Sequence, residues 1–321
     1  ARATHPVPAG LAPVAGRAYL VAVGVNAYDD PSLDLKFAAN DARRTEELVR
    51  ARLTRSGEFD EVVPVVLVAE RGGASHASKA HVKAVIDALA GRRADARLLA
   101  EIPGAERLRA ATPEDVALVS FAGHEYADGR GSFFLVPSDV GPDARARIAA
   151  TGDGLATSGQ PDVLARCISS DELAQWLRDV DAGEMAMIVD ACQSAAFTGE
   201  NFKPGPMGSR GLGQLAYDKG MLVLAATQAD NVALESRALA HGLLTYALTT
   251  DGLDAGHADF RPRDGRITLQ EWLAFAVERV PGLVEAVRSG RMRALELGSS
   301  SEGPAPVERV QQPMLFDFAR K

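Results

Sequence analysis

The stretch "RAYLVAVGV", residues 17–25, decides the fold class. After Arg17 it holds no charged residue and shows no alternation of polar with apolar. A strand with one wet face alternates, whereas a strand apolar at consecutive positions is covered on both faces. Helices must then lie on both sides of the sheet, and buried strands of this kind are mainly parallel. Four further runs read the same way: "EVVPVVLVA" (61–69), "DVALVSFAG" (115–123), "EMAMIVDA" (184–191) and "GMLVLAAT" (220–227). Pro64 lacks an amide donor, which argues for an edge position for the second strand. Segments 35–53, 78–91, 169–180, 238–253 and 268–290 carry apolar residues at helical spacing. Ser169 with Glu172 makes a capping box at the start of the third, and Gly91 closes the second. A short strand over 131–140 follows the third run. The expectation is an α/β/α sandwich with a mainly parallel central sheet flanked by helices.

The chain has 321 residues, 46% of them hydrophobic, enough for one large core. Residues 1–16, rich in Pro, Ala and Gly, read as an arm or linker. The Gly- and Pro-rich segment from 197 reads as a flexible loop to about 216. Residues 256–321 read as a helical extension packed on the domain. The net charge of −8 comes with no Lys/Arg-rich block, so neither nucleic acid nor an anionic membrane is a natural partner. No apolar run approaches the roughly 20 residues that span a bilayer, and no signal peptide opens the chain. The first residue is Ala, which suggests a trimmed or partial chain with a fusion or signalling partner upstream. Two cysteines outside any C-x-x-C pair fit a reducing, cytoplasmic compartment.

In sheets of this kind sites lie at the carboxyl ends of the strands. His124 stands just past the third apolar run and Cys192 just past the fourth. If those strands are neighbours, the two residues meet, and a thiol needs such a base to become a nucleophile. A tetrahedral intermediate would then need two donors, and the backbone N–H groups of Cys192 and Glu125 are the natural pair. Taken singly, each residue has a plainer reading. Cys192 could be a buried strand-end thiol and His124 a loop histidine. Asp190 could be a carboxylate satisfied by backbone N–H groups, and Asp41 an acid in a helix first turn. His241 reads as a packing or capping residue on the 238–253 helix, and Cys167 as structural.

Three segments, "YLVAVGVNAYDDPSLDLKFAANDA", "VSFAGHEYADGRGSFFLVPSD" and "IVDACQSAA", together resemble the caspase-like cysteine peptidases, over roughly residues 17–255. The likeness is closer to bacterial orthocaspases and metacaspases than to animal caspases. It implies Cys192 as nucleophile, His124 as general base and acid, and a protein or peptide substrate. It also implies that Asp190 and Asp41 form the S1 pocket and select Arg or Lys at P1. A carboxylate pair complements a guanidinium or ammonium and repels an Asp side chain. Family members often cleave themselves between two halves, which points to Arg210, ahead of Lys203 and Lys219. Asn231 and Glu235, after the fifth strand, would line the substrate groove. The chain departs from the pattern at Glu125, where the family has Gly after the histidine.

Other motifs fail in context. "GLGQLA" (211–216) matches a dinucleotide pattern but follows a Pro/Gly loop rather than a strand. "DGRITLQEW" (264–272) resembles half an EF-hand, yet ligand positions one and three would be Phe260 and Pro262. No metal or cofactor is therefore expected from a motif, although calcium activation occurs among metacaspases. Two rival functions remain at this level: an inactive caspase-like scaffold, fed by Glu125, and a protease with Asp at P1.

Overall fold

The computed structural model describes residues 15–127, 133–152, 163–193, 210–226, 235–236, 241–288 and 312–319, with the backbone alone for 151–152, 192–193, 210–211, 235–236 and 288. The chain opens with strand β1 (Arg17–Val25), one 3-10 turn (Pro31–Leu33), helix α1 (Ala38–Ser56) and β2 (Glu61–Ala69). Helices α2 (Lys79–Leu89) and α3 (Ala96–Glu101) lead to β3 (Val116–Ala127) and β4 (Phe133–Val136). Next come α4 (Ala144–Gly152), β5 (Ile168–Ser169), α5 (Ser170–Leu177) and β6 (Glu184–Gln193). Helix α6 (Arg210–Lys219), β7 (Leu222–Ala225) and the short strands β8 (Glu235–Ser236) and β9 (His241–Gly242) follow. Helix α7 (Leu243–Tyr246) runs on as a π-helix (Ala247–Asp254), before α8 (Leu269–Arg288) and β10 (Met314–Asp317).

The central sheet has the order β10-β7-β6-β3-β1-β2. β2, β1, β3, β6 and β7 run parallel, and β10 closes one edge antiparallel to β7. β2 is the other edge, where Pro64 is tolerated. Side chains alternate as the pleat requires. Tyr19, Val21 and Val23 of β1, with Val119 and Phe121 of β3 and Met185, Met187 and Val189 of β6, form one core with α2, α5 and α6. Leu20, Leu118, Ile188, Leu222 and Leu224 form a second core with Val49 of α1, α7 and α8. These are the first and second faces of an α/β/α sandwich.

The helix ends follow from local chemistry. Ser78 caps α2 by accepting the His81 N–H, and Gly91 adopts the left-handed region at φ 67°. The Arg92 N–H then reaches back to the Asp87 carbonyl at 2.8 Å, as in a Schellman closure. The Ser169/Glu172 capping box forms at α5. Helix α1 starts at Phe37, whose side chain caps nothing. Asn26, just past β1, does that work instead: its Oδ1 accepts the Ala39 N–H at 3.0 Å and its Nδ2 donates to the Lys36 carbonyl at 3.1 Å.

Gly24 completes the fit. A Cβ there would stand 2.3 Å from the Ala38 carbonyl oxygen. The first turn of α1, which carries Asp41, lies directly on the end of β1. Gly24→Ala forces backbone from backbone and is expected to destabilise the protein by about 3 kcal/mol. Urea unfolding would show it, and a midpoint shift indistinguishable from zero would contradict this packing.

Several expectations need correction. β3 does not end at 123 but runs to Ala127, because β4 pairs with His124–Ala127 from the side that β1 has left. The loop expected to reach 216 gives way to α6 at Arg210, since Leu212, Leu215 and Ala216 share one helical face and bury it. Arg210 thus opens a helix, and cleavage after it would require the first turn to unwind; residues 194–209, with Lys203, lie outside the described residues. The 256–321 segment is helical in α8, but its end, β10, belongs to the central sheet. His241 lies on a strand, β9, rather than on the following helix. The EF-hand-like stretch, already set aside for its missing ligands, is a turn leading into α8: Glu271 Oε1 accepts the Phe260 and Arg261 N–H groups at 2.8 and 2.7 Å. No described helix is long and apolar enough to cross a membrane.

Candidate active site

The β3–β6 ladder sets His124 opposite Cys192 and Ala122 opposite Asp190. The two residues separated by 67 others in sequence are thus direct neighbours across adjacent parallel strands. Glu125, the other expected oxyanion donor, pairs with Gln193 of β6 and Leu135 of β4.

The imidazole of His124 is buried and its orientation is fixed by the loop after β1. Asp30 caps the 3-10 turn, accepting the Ser32 N–H at 3.0 Å, and Pro31 presets the first φ of that turn. The turn aims the Leu33 carbonyl at the ring, and His124 Nε2 donates to it at 2.8 Å. That bond selects the Nε2–H tautomer and makes Nδ1 the basic nitrogen. The Tyr28 hydroxyl accepts the His124 N–H at 3.0 Å, and the two rings lie 5.2 Å apart, tilted. Burial, aided by the charge of Arg145, pushes His124 down to about 4 against the pull of the Leu33 bond. The resting imidazole is neutral.

On the second face two carboxylates converge. Asp41 Oδ1 accepts from His241 Nδ1 at 2.8 Å, and Asp41 also takes the Gly242 N–H at 3.2 Å. Asp190 Oδ2 accepts the Thr245 N–H at 3.1 Å and its hydroxyl at 2.6 Å. Gly242 stands between them: a Cβ there would be 3.2 Å from Asp190 Oδ2 and 3.3 Å from Asp41 Oδ2. Both acids therefore hold the start of α7, as carboxylates at helix N-termini do. They nevertheless repel one another. Burial pushes Asp190 up to about 7 and the Asp41 charge adds to it, against the Thr245 bonds. Burial also raises Asp41, opposed by His241 and Gly242.

Glu125 faces the same way. Phe121 and Tyr126 both pack in the first core, although their odd separation would put them on opposite faces of a regular strand. The alternation therefore shifts once between them, at Gly123, where a Cβ would be 2.9 Å from the Phe121 ring. His124 turns to the first face, with Tyr28 and Leu33. Its neighbour Glu125 turns to the second, toward Asp190. Glu125 is 4% exposed. Burial pushes it up to about 8, and the Asp190 charge adds to that.

Of the residues expected at a site, His124, Glu125, Asp190 and Asp41 are gathered here, and the backbone of Cys192 is beside them. Glu235 is set across from Gly242 in the β8–β9 pair, at the rim of the acids. Asn231 lies outside the described residues. Cys167 is buried in the first core, remote in sequence and sheet position from this group. Tyr28, Leu33, His241, Gly242 and Thr245 were not expected. "HGLLT" does carry a helix-start signal in Gly242, but a carbonyl acting on a histidine leaves no mark on the residue type. Among the described residues no group of His, Cys, Asp and Glu is arranged to hold a metal ion. No protein-family model matches the chain, and no curated protein matches it.

Proposed function

We propose that the protein is a caspase-like cysteine endopeptidase with a Cys192–His124 dyad, cleaving after Arg or Lys. The observation that carries the reading is the pairing of His124 with Cys192 across β3 and β6, with the imidazole tautomer held by the Leu33 carbonyl. In this mechanism His124 Nδ1 takes the thiol proton as sulfur attacks the scissile carbonyl. It then returns that proton to the leaving amine, and water hydrolyses the thioester. The acids at Gly242, Asp190 two residues before Cys192 on β6 and Asp41 on α1, supply a negative pocket suited to a cationic P1 side chain and hostile to an anionic one.

Paired fluorogenic peptides ending in Arg and in Asp test the reading. Cleavage of the Arg peptide at least ~100-fold faster in kcat/KM is expected, since pairing the wrong charge with a buried site costs several kcal/mol. Equal or faster cleavage of the Asp peptide would reverse the S1 assignment.

One observation favours a second reading, a caspase-like module that binds peptide without cutting it. Asp41 and Asp190 already serve as caps for α7, and Glu125 replaces the small residue of the family beside the histidine. A basic peptide chloromethyl ketone discriminates: covalent labelling of Cys192 belongs to the peptidase, and absence of both labelling and turnover belongs to the module.

A further inference from the structure

Glu125 is a buried ionisable group that the proposed mechanism leaves unused except through its backbone. It is nine-tenths buried, and no described residue donates a hydrogen bond to its carboxyl. A buried carboxyl without a donor is costly unless a partner arrives from elsewhere. The bonds that described residues make to Asp190 both fall on Oδ2, and none of them donates to its Oδ1. Asp190 is partly exposed. Thus three acids, Asp41, Glu125 and Asp190, surround the end of β3 and β6, and the partners given to them are a histidine, a hydroxyl and backbone N–H groups. No described lysine or arginine pairs with any of the three.

We infer that Glu125 is a specificity-determining residue, a third acidic wall of the P1 pocket that selects a guanidinium over an ammonium. This rests on the basic-P1 reading of the same site. Asp41 is saturated on Oδ1 and engaged on Oδ2 by the Gly242 N–H. Among the described residues, the acceptors without a donor are Asp190 Oδ1 and the Glu125 carboxyl, on neighbouring strands. A guanidinium presents five donors in a planar fork and can serve two separate carboxyls at once. An ammonium is a compact point charge and bridges separated acceptors poorly. A glycine at 125 would leave Asp190 to bind either cation alone, so the substitution relative to the family sharpens the choice toward Arg.

The test is best made on binding and turnover together. Acetylated tripeptide amides ending in Arg, Lys or citrulline are titrated calorimetrically onto the full chain carrying Cys192→Ala, with and without Glu125→Gln. The Arg:Lys affinity ratio is expected to fall at least ~10-fold with Glu125→Gln, the size of one charge-assisted bond, while citrulline binds weakly to both. Glu125→Asp, which keeps the carboxyl, should recover part of the ratio, and Glu125→Ala gives the same loss as Gln if the amide variant fails to fold. An unchanged ratio, or no binding of the Arg peptide, overturns the inference. The same peptides offered as substrates to the unsubstituted chain separate the two ideas. Cleavage with an unchanged ratio leaves the peptidase and removes the role of Glu125. Arg binding that depends on Glu125, without cleavage, keeps the pocket and removes the peptidase.

Discussion

Cys192→Ala is expected to reduce hydrolysis of an Arg-ended peptide by on the order of 10⁴-fold or more, to the background of the assay. His124→Ala should fall nearly as far, and the double variant no further, because a nucleophile and its base act as one unit. The state of the dyad before substrate arrives is a sharper matter. Some thiol enzymes hold a preformed thiolate–imidazolium pair. Here burial keeps the imidazole neutral down to about pH 4, and the Leu33 carbonyl occupies its Nε2–H. In the proposed mechanism the proton would therefore leave the thiol during attack, not before it. Alkylation of Cys192 by iodoacetamide should climb with pH through the neutral range, since only the thiolate reacts. A labelling rate that stays level from pH 5 to pH 8 would mean a preformed ion pair, and the neutral-histidine account would be wrong. Tyr28→Phe offers a control within the loop: it removes the acceptor of the His124 N–H while leaving the Nε2 bond in place.

The strands were legible because their signal is strong and local. "RAYLVAVGV" and "EVVPVVLVA" coincide with β1 and β2, since an unbroken apolar run has no other place to go than between two helical layers. β3 was cut short in the sequence because His124 and Glu125 are polar, and polarity normally marks a strand end. Both are buried all the same, one by Tyr28 and Leu33 and the other beside Asp190, and the strand continues because β6 pairs with it as far as Glu125 and β4 as far as Ala127. The encounter of His124 with Cys192 was legible as a conditional: it required strands three and four to be adjacent, and they are. The acids were legible as a pair through the resemblance alone and not from their spacing, because Gly242, around which they close, stands far along the chain. His241 was read onto a helix since 238–253 has helical spacing. Its Asp41 bond and the Gly242 cap instead hold it in a strand until α7 begins. The helix at Arg210 was hidden by its glycines, which suggest a loop, although Leu212, Leu215 and Ala216 already had the helical spacing that buries them.

Asp190→Asn is expected to move two quantities in opposite directions. Arg-peptide cleavage should fall by about 10²–10³-fold, the cost of removing one partner from a desolvated charge pair. Stability at pH 8.5 should rise, by about 2 kcal/mol. The sign follows from where the proton sits. Asp190 is pushed up to about 7 in the folded chain, first by burial and then by the Asp41 charge, whereas an unfolded Asp titrates near ~3.9. Between those values the folded state holds a proton that the unfolded state has released. The stability this group gives is present below about pH 4 and is lost as pH rises through about 7, so above neutrality the folded chain bears a charge it disfavours. Asparagine cannot ionise and removes that slope. Its amide oxygen still accepts from Thr245, so the cap on α7 survives. Urea unfolding at pH 5.0 and pH 8.5 reads the difference, which should grow in favour of the variant at the higher pH. A variant equally destabilised at both would mark Asp190 as a plain helix cap. The opposing signs separate the two roles, because a cap adds to stability wherever it is ionised, while a cation pocket is strained until its ligand enters.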